Sequence, residues 1–529
     1  MFARISFFLT KMQQMKKIHL IPFLTLLAVS TLFFSSCEKN DDVIVTTPPP
    51  PPPPPTPTPT VKPNQEFYGI TAANILVRYN ANATDKVIAQ VPVTGLQAGE
   101  NLLSIDFRPA TGQLYGLSNI SRLFIINTET GAARPIGAGP FTPAVNNAIA
   151  SMDFNPTVDR IRVVSNGGQN LRLNPETGTV AAVDGNINNA ERISGIAYTN
   201  SFAGASSTTL FDIDGYSLFV QSPPNNGTIT RIGSLGLDSA GVGTADFDIS
   251  PDNKVALVPL TSGATNNLYR LDTATGKLTN LGKLAIPIIS LAIPTNPVAY
   301  STDNANNLLI FDLTSPSFGI SKPITGLQAG ENILGIDMRP ATGQLYALGS
   351  SSRLYTINMS SGVAVAIGTA PFATLLSGTS FGFDFNPTVD RIRVVSNTGQ
   401  NMRLDPNTGM VAAVDLPLNP GVPAVSAAAY TNNFGGATTT TLYVIDVNTD
   451  KLYIQTPPNN GTLVEVGSLG INITADNGFD IGGRSGKAYG VFSIGPLTKL
   501  YTLDLTTGLA VGQVDFPAAA RGFAVGLGF

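Results

Sequence analysis

The sequence predicts an all-β protein. The architecture is a β-propeller of about ten four-stranded units, built from two tandem copies of five units each. Three observations carry this reading. The first is internal repetition. The run Asp153-Phe-Asn-Pro-Thr-Val-Asp-Arg-Ile-Arg-Val-Val-Ser-Asn166 recurs unchanged at residues 384–397, a shift of 231. Thr94-Gly-Leu-Gln-Ala-Gly-Glu-Asn101 recurs at 325–332, and Arg108-Pro-Ala-Thr-Gly-Gln-Leu-Tyr115 at 339–346, with the same shift. A constant shift over so long a span means that a whole folded unit was duplicated. The second is alternation: short runs of period two, rich in β-branched and aromatic residues, separated by turn signals, read as antiparallel strands. The third is size. Four strands per unit and about five units per copy give about 46 residues per unit, the length of one propeller blade.

The elements follow in chain order. Residues 1–36 read as a leader: Met15-Lys-Lys-Ile-His opens a charged start, residues 20–34 are apolar, and Ser35-Ser36 precede Cys37. The apolar run is short for a bilayer span. Cys37 is the only cysteine and follows small residues. It is the expected lipidation site of a bacterial lipoprotein, with the lipid anchor as the membrane partner. Glu38-Lys-Asn-Asp-Asp42 resembles the acidic tract of Gram-negative lipoproteins displayed on the cell surface, so an outer-membrane, surface-exposed location is expected. Residues 37–65 form an acidic and then Pro/Thr-rich linker. Its unbroken prolines, 48–55, favour an extended polyproline II stalk.

Residues 66–295 are the first copy and residues 296–529 the second. Each copy repeats a scheme: a run ending in Asp, an apolar residue, any residue and Pro; two alternating runs; an Asn/Asp-x-x-Thr-Gly turn; a short outer run. In the turn, the Asn or Asp side chain caps the backbone and Gly supplies the left-handed position. The unit starting at Phe67 lacks an inner strand, and residues 521–529 read as an inner strand with nothing after it. Pairing that C-terminal strand into the first unit would remove two exposed edges. One continuous ring and two five-bladed rings both remain open. The short join at residues 288–300 favours one ring.

Composition limits the chemistry. Losing the leader removes Arg4, Lys11, Lys16 and Lys17. That leaves 27 of 31 basic residues against 35 acidic ones, a net charge of −8, so no nucleic-acid partner is expected. The only histidine, His19, lies in the leader, and the chain has no Trp. Without His or a free Cys, Ser-His-Asp and Cys-His catalysis and ordinary zinc sites are excluded. No cofactor, metal site or catalytic residue is expected.

At the block Phe383-Asp-Phe-Asn-Pro-Thr-Val-Asp-Arg-Ile-Arg-Val-Val-Ser-Asn-Thr-Gly-Gln-Asn401, nearly matched from Met152, the chain resembles a bacterial family known only as the domain of unknown function 4394 family. Ala429-Tyr-Thr-Asn432, Thr440-Thr-Leu-Tyr-Val-Ile-Asp446 and Pro457-Pro-Asn-Asn-Gly461 support the resemblance. It covers both copies. It implies an exported, propeller-like domain and supplies no activity or catalytic residues.

The candidate ligand-binding residues are Asp159, Arg160, Arg162, Asn166, Gln169, Asn170 and Arg172, with their repeats Asp390, Arg391, Arg393, Asn397, Gln400, Asn401 and Arg403. Arginine beside side-chain amides suits a carboxylate or a sugar. The plainer alternative is that these arginines lie between blades and pair with inner-strand aspartates such as Asp106, Asp153 or Asp384. The repeated aspartates, which also include Asp248, Asp337 and Asp480, either line a central channel as acids or calcium ligands or satisfy neighbouring amides. Asp212-Ile-Asp-Gly215 and Ser250-Pro-Asp-Asn253 resemble incomplete calcium loops. Pro223-Pro-Asn-Asn-Gly227 and its repeat read as exposed loops. The expected function is a surface-anchored, non-catalytic protein that binds a glycan or a protein partner. The alternatives are a carboxylate-based glycan hydrolase and a purely structural envelope protein.

Overall fold

The computed structural model describes residues 61–529, apart from 189–191, 238–241, 263–264, 315, 317–318 and 475–476. The leader, Cys37 and nearly all of the linker lie outside the described residues. The described chain is all-β, with ten antiparallel sheets of four strands; the fifth has one extra short strand. Its helical residues are short 3-10 turns such as Pro224–Asn226 and Pro458–Asn460.

Burial explains why these runs became strands. Middle strands such as Leu114–Ser118 and Leu123–Ile126 are buried on both faces and carry no charged residue. Outer strands such as Val180–Val183 and Ile320–Pro323 alternate between half-buried and exposed positions, as expected where one face meets solvent. The Asn-x-x-Thr-Gly turn closes as its chemistry requires. The Asn127 Oδ1 accepts the amides of Glu129 and Thr130 at 2.9 and 3.0 Å. Gly131 sits at φ 73°, where a Cβ would lie 2.1 Å from the Pro92 carbonyl oxygen.

The connectivity corrects one expectation. The C-terminal strand Arg521–Val525 does not pair into the first sheet. It pairs with Val298–Thr302, with Tyr300 opposite Ala524. The first sheet takes its inner strand from Ser290–Ala292, which pairs with Glu66–Ile70. Each copy therefore completes its own first sheet with its own last strand. Residues 293–297 are enough to leave one copy and enter the next, because Val298–Thr302 starts its sheet where Ser290–Ala292 ends the other.

Within the first copy, the inner strands touch in the order Leu102–Phe107, Ala150–Asn155, Gly195–Tyr198, then the fifth sheet, then Ser290–Ala292, which returns to Leu102–Phe107. The second copy runs Ile333–Met338, Phe381–Asn386, Val425–Tyr430, Asn477–Ile481, Arg521–Val525 and back. The copies also meet each other. The Tyr300 hydroxyl donates to the Ala110 carbonyl at 2.9 Å, the Gln344 amide donates to Glu176 at 3.0 Å, and the Gly528 N–H donates to the Thr111 carbonyl at 2.8 Å.

Candidate functional site

The inner strands bring the repeated aspartates together. Asp106, Asp153 and Asp248 form one buried trio, and Asp337, Asp384 and Asp480 form the other. In each trio one carboxylate oxygen per residue lies within 4.8 Å of the others. The carboxylates also tie neighbouring strands. Asp106 accepts its own strand's Phe107 amide at 2.7 Å and the next strand's Phe154 amide at 2.8 Å. Asp153 accepts from Tyr198 at 3.0 Å, and Asp248 from Ile249 and Ile293 at 2.5 and 2.6 Å. The second copy repeats the pattern through Met338, Phe385, Tyr430, Ile481 and Val525. So the aspartates satisfy neighbouring amides, one of the two roles the sequence left open, and converge as buried groups.

Burial disfavours the charged form, and the neighbouring carboxylates add to the effect. Burial pushes Asp248 and Asp480 up to about 7, against backbone amide bonds that favour the charged form. Asp106, Asp153, Asp337 and Asp384 are raised well above the usual carboxylate range, by burial first and then by the adjacent aspartates. Each trio therefore retains protons near neutral pH. Three carboxylate oxygens could in principle hold a cation. A calcium ion, however, takes six to eight oxygens, and here amide N–H groups already occupy several of the carboxylate oxygens. Proton sharing fits the donor set better.

Two residues before each trio the copies differ. In the first copy, Ser104, Ser151 and Ser290 surround Asp246. The Met152, Ile196 and Ile105 amides donate to the three serine hydroxyls at 3.0–3.1 Å. Ser151 and Ser104 in turn donate to Asp246 at 2.6 and 3.3 Å. Burial raises Asp246 to about 7, held down in part by these hydroxyls and that of Ser290. In the second copy the same positions are Gly335, Gly382, Gly522 and Gly478.

The arginine–amide constellation is assembled, but against itself. Arg162 is buried and donates to the Tyr198 hydroxyl at 2.9 Å, to Asn170 at 2.5 Å, to Asp184 at 2.9 Å and to Asn225 at 2.7 Å. Arg172 pairs with both oxygens of Asp184 at 2.7 and 2.8 Å. Arg393, Asn401, Arg403, Asp415 and Asn459 repeat this network. Asp159 receives the buried Arg108, and Asp390 receives Arg339. Arg160 and Arg391 donate to the carbonyls of Asp159 and Asp390, and Arg391 also pairs with Asp405. Asn166 donates to the Ile193 carbonyl, and Asn397 accepts the Thr379 amide. Gln169 and Gln400 clamp the loops at 144–146 and 375–377. The expected pairing of these arginines with Asp106, Asp153 or Asp384 does not occur; Arg162 and Arg172 pair with Asp184, Arg393 and Arg403 with Asp415, and Arg391 with Asp405.

Sequence reasoning missed Asp184, Asp415 and the paired asparagines. The signal was present: Asn225 and Asn459 belong to the repeated Pro-Pro-Asn-Asn-Gly runs, whose repetition reflects their bonds to Arg162 and Arg393 rather than a free loop. The incomplete calcium loops are turns. Asp214 caps the Tyr216 and Ser217 amides, and Asp252 pairs with Lys254. Asp212 lies on a strand, wholly buried, and burial raises it to about 8. Neither of its oxygens has a hydrogen-bond partner among the described residues, and Val444 stands at its place in the second copy.

Fold and site together define a duplicated all-β protein whose repeated polar residues hold its own sheets. The chain belongs to the family described as domain of unknown function (DUF4394), whose model matches twice, at residues 75–292 and 307–524. No curated protein matches it. Among solved structures, the extracellular domain of a putative hybrid two-component system from B. thetaiotaomicron aligns over 86% of this chain, with 11% identity and a TM-score of 0.25. A second structure of such a domain from that organism, described as a putative one-component system, aligns over 85% with 13% identity and a TM-score of 0.23. PorZ, a surface component of the type-IX secretion system of Porphyromonas gingivalis, aligns over 87% with 12% identity and a TM-score of 0.23. The chain spans 65%, 59% and 59% of those chains, respectively. Among the described residues no helix is long and apolar enough to cross a membrane.

Proposed function

We propose that this protein is a surface-anchored lipoprotein whose two copies close as two five-bladed β-propellers, and that it binds a glycan or a protein partner without catalysis. The returning contact order of the inner strands and the pairing of each copy's last strand into its own first sheet support two rings over one. The single observation that carries the non-catalytic reading is the position of the convergent carboxylates. A glycan hydrolase needs two carboxyl groups, about 5–9.5 Å apart, flanking a cleft that admits the sugar. Here the clustered aspartates are buried and accept backbone amides from adjacent strands, which is a structural use. The lipid anchor at Cys37 and the proline-rich stalk would hold the paired rings away from the outer membrane.

A glycan array probed with the purified chain lacking the leader tests the binding reading, run beside a polysaccharide turnover assay. Array binding without turnover supports it. Turnover of any polysaccharide overturns it in favour of the carboxylate enzyme. Silence in both assays, with no protein captured from the cell surface, favours a structural envelope role. For the address, Cys37→Ser should release the protein from the membrane fraction, and retention there would count against lipidation.

A further inference from the structure

The seam between the two copies treats one position in two ways. In the second copy, Tyr300, Leu308, Ile310 and Met359 form part of a buried apolar cluster. Ala110 of the first copy belongs to the same cluster, and Tyr300 is fixed to its carbonyl. Lys322 reaches across to the Ser360 carbonyl. The repeat places Tyr68, Leu76, Arg78, Thr128 and Glu129 at the corresponding positions of the first copy. There the position is an open cavity of about 280 Å³, lined by those five residues and Gln90 among others. Duplication would have supplied the same residues to both, yet Arg78 and Glu129 stand where the second copy has Ile310 and Ser360.

The chemistry of that cavity is specific. Leu76 and Val91 give an apolar floor, with half-buried Tyr68 beside them. Arg78 lies over the Tyr68 ring, 5.9 Å from its centroid, and pairs with Glu66 at 2.6 Å, which leaves its other N–H groups for a ligand. The exposed Glu129 side chain makes no hydrogen bond among the described residues, whereas Gln90, the register partner of Val77, sends its side chain to the opposite face of the sheet from Tyr68, Leu76 and Arg78. Arg484, from the second copy, donates to Thr128 at the cavity's edge. Donors and acceptors are therefore both available, and two arginines balance Glu66 and Glu129. A ligand with a flat apolar face and neighbouring hydroxyl groups matches this set: hydroxyls can give and accept at once, and a net charge on the ligand would meet no excess of the opposite sign. The volume is close to the ~300 Å³ at which small-molecule pockets begin, which suits a single sugar residue rather than a buried chain.

We infer that this cavity of the first copy is a binding site for a neutral sugar residue, with Arg78 and Glu129 holding its hydroxyl groups. The inference rests on the glycan-binding reading above and gives it a location. The test is titration of the leaderless protein with glucose, galactose, mannose and N-acetylglucosamine, followed by saturation-transfer NMR. Arg78→Ala gives up only a solvent-screened pair with Glu66, and Glu129→Ala is an exposed change, so melting temperature should move little. Each should weaken binding of the responding sugar at least tenfold, and the double variant should abolish it. Gln90→Ala, on the opposite face of the strand, and Ser360→Ala, at the place of Glu129 in the second copy, should leave affinity unchanged. Unaltered sugar binding by the double variant would overturn this site while leaving glycan binding itself in place. No binding of any of the four sugars by the unaltered protein would overturn the site as well, and a positive glycan array in that case would show that the broader reading survives without it.

Discussion

The centres of the two copies solve one packing problem by opposite means. Five strands converge in each, and each ends in a trio of buried aspartates. One layer away, the first copy is held by hydroxyl groups donating to Asp246, whereas the second is held by close approach of backbone. In the second copy a Cβ on Gly478 would sit 2.5 Å from the Phe523 Cβ and 2.7 Å from the Gly522 carbonyl carbon. One on Gly382 would sit 2.7 Å from the Ala428 Cβ. The glycines let strands touch where the serines of the first copy need room for hydroxyls. The lesson is that a strand centre can be polar and hydrogen-bonded or bare and tight, but a mixture leaves either a clash or an orphaned donor.

Transplanting one solution into the other should break this balance most severely. Gly478→Asp installs the first copy's residue where no atom fits and no serine donates. Overpacking costs about 1–3 kcal/mol, and a buried carboxylate without partners adds more. Chemical denaturation should show a loss of about 3 kcal/mol or more, or a separate early transition for the second copy. A variant as stable as the parent would contradict the tight-centre account. The reverse change, Asp246→Ala, removes the acceptor of the serine hydroxyls. Leaving buried donors unsatisfied costs about 1–3 kcal/mol, so a loss of about 2 kcal/mol is expected. Ser151→Gly in the same background should then cost about 1 kcal/mol or more again, because the buried Ile196 amide that donates to the Ser151 hydroxyl would be left unpaired.

Much of this architecture was legible in the chain itself. The duplication, the strand rhythm and the inner-strand position of the aspartates all follow from spacing, because period and turn chemistry are local properties. Which strand completes which sheet was not. The sequence of residues 521–525 marks an inner strand, but its partner is set by where the chain returns in space, and residues 298–302 were as available as 66–70. The arginine network was half legible. Arg162 and Arg172 stood out as polar residues on apolar strands, whereas Asp184 and Asn225, which neutralise them, come from other turns that only the fold brings near. The contrast between Asp246 and Gly478 was visible as a difference between repeats, yet its meaning needed the distances.

The trios supply a smaller, pH-dependent test. Asp248 and Asp480 titrate near 7 in the folded protein against 3.8 in the unfolded chain, and their trio partners are raised too. Between those values the unfolded chain binds fewer protons than the folded one, so stability falls as pH rises. The contribution is complete below about pH 4 and lost as pH climbs through about 7. Asp153→Asn keeps an oxygen for the Tyr198 amide and presents N–H donors to Asp106 and Asp248. It should raise stability by about 1–2 kcal/mol at pH 8, since one pKa unit corresponds to about 1.4 kcal/mol, and change it little at pH 5. Asp384→Asn should do the same in the second copy with a smaller gain, because no counterpart of Asp246 adds to the repulsion there. Destabilisation at pH 8 instead would mean that the trio holds a cation rather than shared protons.

The smallest effect belongs where the copies agree. Arg172 and Arg403 each reach a shared aspartate, Asp184 or Asp415, at 2.7–2.9 Å, and each side chain is 32% exposed. Solvent screens such pairs, so losing one costs about 0.5 kcal/mol. The aspartate is not stranded by the loss, because Arg162 or Arg393 still donates to it from the buried side. Arg172→Met and Arg403→Met should therefore lower stability equally, by about that amount, at low ionic strength, and by less in high salt. Unequal losses would show that the two copies differ in rigidity beyond their centres, and the contrast between serine and glycine layers would then be one part of a larger divergence.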